Sequence, residues 1–330
     1  MTPSFRVPGL LFGTALPLFL PACGAMAADR QAVRDSFSAG KASFTVKVKG
    51  ETIPYKVMAL SALPGEKLDF EISGPDSVGE YEVESAHGQA EKLARDGWRW
   101  TAPTSTGLYP VTISPPNAEE TITLNVFVIV PNSAVKKDML NGYRMGSYPL
   151  TPLKGLAIYK PPRGFIEVTS ENEDTLVSPH FRLGQFLCKQ ESGYPKYLVL
   201  KTRLLLKLEL ILEQVNAAGF RCDTLHVMSG YRTPYYNKAI GNVKYSRHVW
   251  GGAADVFIDE DPRDEMMDDL NGDGVSDYRD AALLYDLVDG LYGKSHYEPF
   301  VGGLGRYKKT AVHGPFVHVD VRGFRARWGT

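Results

Sequence analysis

Two histidines and one aspartate have the types and spacing of ligands to a catalytic metal ion. His248 and Asp255 lie seven positions apart in a segment that reads SRHVWGGAAD, and His318 lies far downstream inside the apolar run FVHVD. Two imidazoles and one carboxylate, with a fourth position free, form the ligand set of a catalytic zinc site, whereas a structural zinc site is closed by four protein ligands. The pattern predicts hydrolysis by a metal-activated water.

The residues around His248 favour this interpretation over a histidine that is simply packed in the core beside Trp250. Zinc binds neutral imidazole and carboxylate groups at neutral pH. Gly251 and Gly252 permit a tight bend between His248 and Asp255, which would bring both side chains to one point. The whole pattern S-x-H-x-x-G-x-A-x-D is present in residues 246–255.

Four stretches of the chain resemble the zinc D-alanyl-D-alanine peptidases, which include D,D-carboxypeptidases, D,D-dipeptidases and murein endopeptidases. They read SPHF (178–181), SGYR (229–232), SRHVWGGAAD (246–255) and VHVDVRG (317–323). The resemblance is to the YcbK-like murein endopeptidase branch and covers roughly residues 175–330. It implies an α+β zinc peptidase domain of the D-Ala-D-Ala peptidase and hedgehog-like type, with His248, Asp255 and His318 as zinc ligands.

The general base that many members of this family carry is missing from the chain. Many place a Glu three residues before the last histidine ligand, where this chain has Pro315, and some carry a His at the position of Phe316. His313 is therefore the first candidate for proton transfer or oxyanion stabilisation, with a surface loop histidine as the alternative. Asp320 is the second candidate; it would share a strand face with His318 and could instead orient that ring.

Arg232 is the third residue predicted to take part in catalysis. The resemblance implies that its guanidinium holds a substrate carboxylate or stabilises the tetrahedral oxyanion, for which a planar fork of donors is suited. A structural salt bridge is the alternative interpretation.

A second metal site is predicted between Asp255 and His318 in the chain, where residues 269–280 fit the twelve-residue calcium loop. Oxygen ligands fall at the required positions, and Gly274 stands at the sixth position for the sharp turn. The last residue is an aspartate where an EF-hand has glutamate. The predicted calcium ligands are Asp269, Asn271, Asp273, Val275 through its carbonyl, Asp277 and Asp280.

The composition and the N-terminus indicate an exported globular protein of two domains. The 330 residues are 43% hydrophobic and 23% charged with a net charge of -1, so nothing favours a nucleic-acid partner. Arg6 is followed by the apolar run 10–20 and an A-x-A cleavage signature at 25–27, which predicts a signal peptide over 1–27 and no membrane span. Lipid attachment at Cys23 is the less favoured alternative, and either route places the protein in the periplasm or cell envelope.

Alternating apolar residues and turn signals predict strands over 41–131, and hence a small all-β, immunoglobulin-like sandwich ahead of the peptidase domain. Helices are predicted over about 197–218 and 281–291. The predicted division is a linker at 28–40, the sandwich at 41–131, a proline-rich connector at 132–174 and the peptidase domain at 175–330, with the calcium loop as an insertion. Cys188 and Cys222 could pair in an oxidising compartment or remain separate buried thiols.

Together these patterns predict an exported zinc metallopeptidase that cleaves peptidoglycan stem peptides or cross-links as a murein D,D- or L,D-endopeptidase or carboxypeptidase. The alternative is a catalytically degenerate protein of the same fold that only binds peptidoglycan, which Pro315 in place of the usual base favours.

Overall fold

The computed structural model describes residues 40–75, 80–116 and 120–329, together with Met1 and Phe37. Apart from Met1, the predicted signal peptide, which includes Cys23, lies outside these residues, and so does most of the predicted linker. Within the described part of the chain, no helix is long and apolar enough to cross a membrane.

The N-terminal region forms two sheets with a common core. Its strands are β1 (Lys41–Val48), β2 (Glu51–Tyr55), β3 (Val57–Ala62), β4 (Lys67–Ser73), β5 (Glu82–Glu84), β6 (Gln89–Ala94), β7 (Gly97–Thr101), β8 (Gly107–Ser114) and β9 (Ile122–Val128). The strand orders are β2-β1-β4-β7-β6 and β3-β9-β8-β5, and only β3 and β9 pair in parallel. Phe44, Val46 and Val48 are buried between exposed or half-buried neighbours, so the predicted alternation is confirmed. The immunoglobulin-like assignment and the domain boundaries stay predictions.

Short elements follow, as the prolines of the connector predict. They are β10 (Val130–Pro131), β11 (Met139–Leu140), β12 (Tyr143–Arg144), β13 (Gly164–Val168), β14 (Leu176–Ser178), β15 (Phe181–Arg182) and β16 (Lys196–Leu198). Strands β10, β13 and β16 form a small sheet in which Glu167 pairs with Tyr197. Tyr197 therefore belongs to a strand, and the prediction of a helix beginning there was wrong.

The C-terminal region combines three α-helices with a five-stranded sheet. Its elements are α1 (Thr202–Ala217), β17 (His226–Ser229), α2 (Pro234–Ala239), β18 (Ala253–Phe257), α3 (Tyr278–Asp289), β19 (Gly303–Tyr307), β20 (Phe316–Asp320) and β21 (Ala326–Trp328). The strand order is β17-β18-β20-β19-β21, with only β19 and β21 parallel. Helix α3 begins three residues before the predicted start because Asp277 caps its N-terminus and Asp280 completes a capping box.

Helix α1 packs against both regions and joins them. The apolar stripe predicted from its sequence is buried and consists of Leu204, Leu208, Ile211, Leu212 and Val215. The stripe belongs to one hydrophobic cluster that also contains the core of the two N-terminal sheets. Its polar residues also reach the N-terminal region, since Glu213 accepts from Tyr55 at 2.8 Å and Thr202 donates to the carbonyl of Ala59 at 2.9 Å.

Both described cysteines are free and buried, which favours the second of the two alternatives left by the sequence. Burial raises the pKa of each thiol, Cys188 and Cys222 alike. A raised pKa keeps a thiol protonated and unreactive, so these residues act as small apolar side chains.

Candidate metal centre

The central strand pair of the C-terminal sheet places two of the three predicted ligands side by side. Asp255 of β18 is the direct antiparallel partner of His318 of β20, so both side chains leave the same face of the sheet. His248 lies in a short 3-10 helix, Arg247–Trp250, just before β18. All three side chains are buried.

The turn at Gly251 aims His248 back at the sheet. Gly251 ends the 3-10 helix in the left-handed conformation, with φ of 60°, and its carbonyl accepts from the amide of Lys201 at 3.0 Å. A Cβ atom built on Gly251 would clash with the carbonyl of Val199. The sequence predicted a glycine bend here, and the structure gives the reason: a positive φ and a close approach of two backbones.

Gly251→Ala should destabilise the fold by more than about 2 kcal/mol, because it adds both a clash with backbone and a strained φ. The neighbouring Gly252→Ala is the matched control. Its φ is not positive, and the nearest atom to a new Cβ would be Nη2 of Arg247 at 3.1 Å, which is the end of a side chain rather than backbone. Urea unfolding of the two variants measures the difference; equal losses of stability would contradict the role assigned to the turn.

The ligand atoms of the three residues converge. Nε2 of His248 lies 3.1 Å from Nδ1 of His318 and 3.2 Å from Oδ1 of Asp255. The third edge of the triangle, from Nδ1 of His318 to Oδ1 of Asp255, is 2.8 Å. Ligand atoms 2.0–2.1 Å from a tetrahedral zinc ion lie about 3.3 Å apart, so the spacing fits one shared cation. In the described part of the chain, no other group of three or more His, Cys, Asp or Glu residues brings its ligand atoms this close together.

The outer hydrogen bonds of the two imidazoles determine which nitrogens are free. Nδ1 of His248 lies 2.7 Å from the carbonyl oxygen of Gly230, which can only accept, and Nε2 of His318 lies 3.2 Å from Oδ2 of Asp320. Each ring therefore carries its hydrogen on the outer nitrogen when neutral. Three atoms with lone pairs then face one another at the centre, an arrangement that repels itself unless a cation or an added proton lies between them. The donor set fits a divalent metal ion.

The pKa shifts at the centre follow the same geometry. Burial lowers the pKa of His248 and so favours the neutral ligand form. Burial also works against charge on His318, but hydrogen bonds to Asp255 and Asp320 outweigh it and raise its pKa. For Asp255, burial is again outweighed by His248 and His318, which hold its pKa well below the usual value. A proton on His318 would compete with a metal ion for the same lone pair.

Asp320 holds the ring of His318 from behind. It is fully buried, and Oδ1 accepts from the amide of Gly303 at 2.8 Å and from the amide of Arg322 at 3.0 Å. Oδ2 receives Nη2 of Arg322 at 2.5 Å as well as the ring of His318. Burial would raise the pKa of Asp320, but His318 and Arg322 hold it far below its usual value. Since its lone pairs are engaged by these donors, the geometry favours the orienting role over proton transfer.

Arg232 orients Asp255 in the same way. Its Nη2 donates to Oδ2 of Asp255 at 2.6 Å and its Nε donates to Oγ of Ser229 at 2.8 Å, while 11% of the side chain remains exposed. The salt bridge that was the alternative interpretation of Arg232 is therefore present, and its catalytic role stays a prediction. Nη1 makes no hydrogen bond to any residue that the structure describes, which leaves one donor of the fork for another molecule.

Comparison with known families bears on the segment that contains the first two ligands. Residues 179–281 match the Peptidase M15 family. The match supports the assignment of this part of the chain to the M15 zinc peptidases and suggests a zinc metallopeptidase, since peptidases of this family depend on zinc. His318 lies beyond the matched residues and reaches the centre through the pairing of β18 with β20.

Other comparisons add no argument. Among solved structures, domains 4 and 5 of the S-layer protein SbsC are similar to 25% of this chain, at 16% identity and a TM-score of 0.18. The match covers 50% of the chain in that structure. No curated protein matches the chain significantly.

His313 is not one of the residues that meet at the metal centre. Its ring packs edge-on against Phe316, with centroids 5.0 Å apart, and its Nδ1 lies 2.8 Å from the carbonyl oxygen of Gly314. Among the described contacts, none joins His313 to the three ligands. The predicted catalytic role of His313 therefore stays a prediction.

Two aromatic residues beside the centre were not singled out in the sequence. The ring of Trp328 lies 5.1 Å from that of His318, and the Nε1 of Trp328 donates to the hydroxyl of Tyr307 at 2.7 Å. Neither has a ligand-like spacing to His248 or His318. Only the pairing of β19 with β20 and of β21 with β19 places them there.

The predicted calcium loop is held together by its own hydrogen bonds. Asp269 accepts from the amides of Gly272, Asp273 and Gly274, and Asp280 accepts from those of Leu270, Asn271 and Asp277. The guanidinium of Arg279 lies 2.7 Å from Asp273 and 2.9 Å from Asp277. No three aspartates of the loop bring their carboxylate oxygens as close together as the ligand atoms of the metal centre.

Proposed function

We propose that this protein is an exported zinc metallopeptidase that hydrolyses peptide bonds in the stem peptides or cross-links of peptidoglycan, in the periplasm or cell envelope. The observation that carries the proposal is the meeting of His248, Asp255 and His318, three buried groups that present only lone pairs to one another. The match to the M15 family supports the peptidase class. The peptidoglycan substrate rests on the sequence resemblance, and export rests on the N-terminal pattern.

The residues of the centre divide the work of such a reaction. Bound zinc would supply a Lewis acid that polarises a carbonyl and lowers the pKa of a water molecule. His248, Asp255 and His318 would hold it, while Gly230 and Asp320 keep the two imidazoles in the ligand tautomer. The free Nη1 of Arg232 would hold the carboxylate of a substrate or stabilise an oxyanion. His313 remains the candidate for proton transfer.

Digestion of purified peptidoglycan tests the proposal. The zinc-loaded protein should release new peptides or shortened muropeptides that mass spectrometry identifies, and the masses will distinguish D,D from L,D cleavage and end trimming from cross-link opening. Exhaustive chelation should stop the reaction and added zinc should restore it. Full activity after chelation would refute the metal mechanism, and no cleavage by the zinc-loaded protein would refute the proposed substrate.

A catalytically degenerate protein that binds peptidoglycan is the second candidate. Pro315 stands where many relatives of this type carry the base, and the carboxylate of Asp320 is already engaged by Arg322 and His318. This candidate predicts that the zinc-loaded protein sediments with purified peptidoglycan but leaves its muropeptide profile unchanged.

We propose that the 269–280 loop binds calcium. The proposal rests on the spacing of its oxygen ligands alone. An ion there would have to displace Arg279 from Asp273 and Asp277. Millimolar calcium should raise the unfolding temperature of the protein, equal magnesium should not, and Asp269→Asn should reduce the shift. No calcium-dependent shift in the unmodified protein would contradict the prediction.

A further inference from the structure

Tyr307 lies on the face of the sheet that carries the metal ligands. Phe316 and His318 point to the same side of β20 because side chains two residues apart share a face. Tyr307 is the cross-strand partner of Phe316, and the two rings stack with centroids 4.5 Å apart and an angle of 9° between their planes. The phenol ring therefore lies along the same row as His318.

Trp328 fills the space between Tyr307 and His318. The residue of β19 opposite His318 is Gly305, where a Cβ atom would clash with the indole Nε1 of Trp328. The missing side chain lets the indole lie 5.1 Å from the ring of His318 and donate to the hydroxyl oxygen of Tyr307 at 2.7 Å. One indole ring thus separates the phenol hydroxyl from a metal ligand.

The hydrogen bond from Trp328 determines how the hydroxyl of Tyr307 can act. An indole N–H can only donate, so the phenol oxygen accepts and its own hydrogen must point elsewhere. In the described part of the chain, that hydrogen has no acceptor, and 37% of Tyr307 is exposed. Burial raises the pKa of Tyr307, the hydrogen bond from Trp328 opposes this, and the negative charge of Asp255 adds to it. The Tyr307 hydroxyl is a neutral donor at neutral pH, and it lies close enough to Asp255 for the charge of that carboxylate to affect its pKa.

We infer that Tyr307 is a catalytic residue that donates a hydrogen bond to the carbonyl oxygen of the scissile peptide bond as that oxygen becomes negative, and that Trp328 is the positioning residue for its hydroxyl. The phenol keeps its proton throughout; it stabilises charge and transfers nothing. This inference rests on the proposed peptidase function. A donor fixed before the reaction begins stabilises the transition state without the cost of reorienting.

Tyr307→Phe tests the inference because it removes only the hydroxyl and keeps the ring that stacks on Phe316. Loss of one oxyanion donor should lower kcat about 100-fold and leave KM within about twofold. Bound zinc and the unfolding temperature should not change. Tyr292→Phe is the matched control, since this tyrosine is 47% exposed and stacks beneath Arg325 rather than beside the centre; it should retain full activity.

Trp328→Phe tests the positioning role. It keeps an aromatic ring but removes the N–H, so the hydroxyl of Tyr307 remains while its direction is no longer set. A fall in kcat of about 10-fold, at unchanged KM, is expected, and in a Tyr307→Phe background the same change should cost little more because the two residues act as a unit. Independent, additive losses would overturn the positioning role.

A phosphinate analogue of the stem peptide provides a readout without turnover. Its anionic oxygen imitates the developing oxyanion, so Tyr307→Phe should weaken its binding to the zinc-loaded protein at least about 10-fold, while binding of the cleavage product should not change. Equal kcat in the Tyr307→Phe variant, or a change in KM alone, would overturn the inference and leave the proposed function standing. If the unmodified protein cleaves no peptidoglycan, the proposed function fails instead. In that case the role of Tyr307 can still be tested with a generic dipeptide phosphinate. Equal binding of it by the unmodified protein and by Tyr307→Phe would overturn that role.

Discussion

His248→Ala should lose both bound zinc and peptidase activity, the latter by roughly 10³-fold or more, because a Lewis acid supplies several kcal/mol of transition-state stabilisation. The residue contributes Nε2 to the triangle of ligand atoms, and its outer nitrogen is already committed to the carbonyl of Gly230. Alanine offers no ligand, and Asp255 and His318 alone form too small a set to hold zinc firmly.

The fold should survive this change. In the metal-free protein, removing His248 also removes one of three groups that present lone pairs to one another, so much of the lost packing energy is offset. Metal analysis, muropeptide digestion and circular dichroism measure the three quantities separately. His226→Ala is the matched control: His226 lies on the neighbouring strand β17, stacks on Phe257 at 4.5 Å and pairs with Asp259. Normal zinc content and cleavage in His248→Ala would exclude the proposed centre.

Asp320→Asn should weaken zinc binding about 10–100-fold although the residue is not a predicted zinc ligand, because carboxylates behind metal-binding histidines have effects of this size. All donors around Asp320 point at its two oxygens: the amides of Gly303 and Arg322, the guanidinium of Arg322 and the ring of His318. The NH2 group of an asparagine would have to face one of these donors, and two donors cannot form a hydrogen bond with each other.

The same substitution should reduce stability by about 3 kcal/mol, since it leaves Arg322 beside a neutral group in a largely buried site. Zinc titration and urea unfolding measure the two effects. Asp289→Asn is the matched control, because this aspartate pairs with Arg325 and Arg327 at the far side of the sheet, where its side chain is 32% exposed. Its replacement should cost under about 1 kcal/mol and leave zinc affinity unchanged. If Asp320→Asn loses stability but keeps normal zinc affinity, the role of Asp320 is purely structural.

Two features of the metal centre could be predicted from residue spacing in short segments of the sequence. The glycines between His248 and Asp255 indicated a bend, and the bend at Gly251 is present. The alternation of FVHVD placed His318 and Asp320 on one face, and both face the same cluster. These inferences succeeded because a turn and a strand are set by residues that are close in the chain.

Helix α1 shows where local spacing is insufficient. The apolar pattern of α1 was correct over most of its length, yet the pairing of Tyr197 with Glu167 of β13 kept the preceding residues in a strand. A strand partner that the local pattern does not show therefore decided where the helix begins. The calcium site at 269–280 stays a prediction.

By itself, the sequence determined the types of the candidate ligands, the bend that carries His248 and the strand face that His318 shares with Asp320. The tertiary structure alone decided that Asp255 pairs directly with His318, that Arg232 donates to Asp255, and that Trp328 and Tyr307 lie beside the centre. The physical reason is register: strand pairing joins segments more than sixty residues apart, and no local pattern specifies which residues meet.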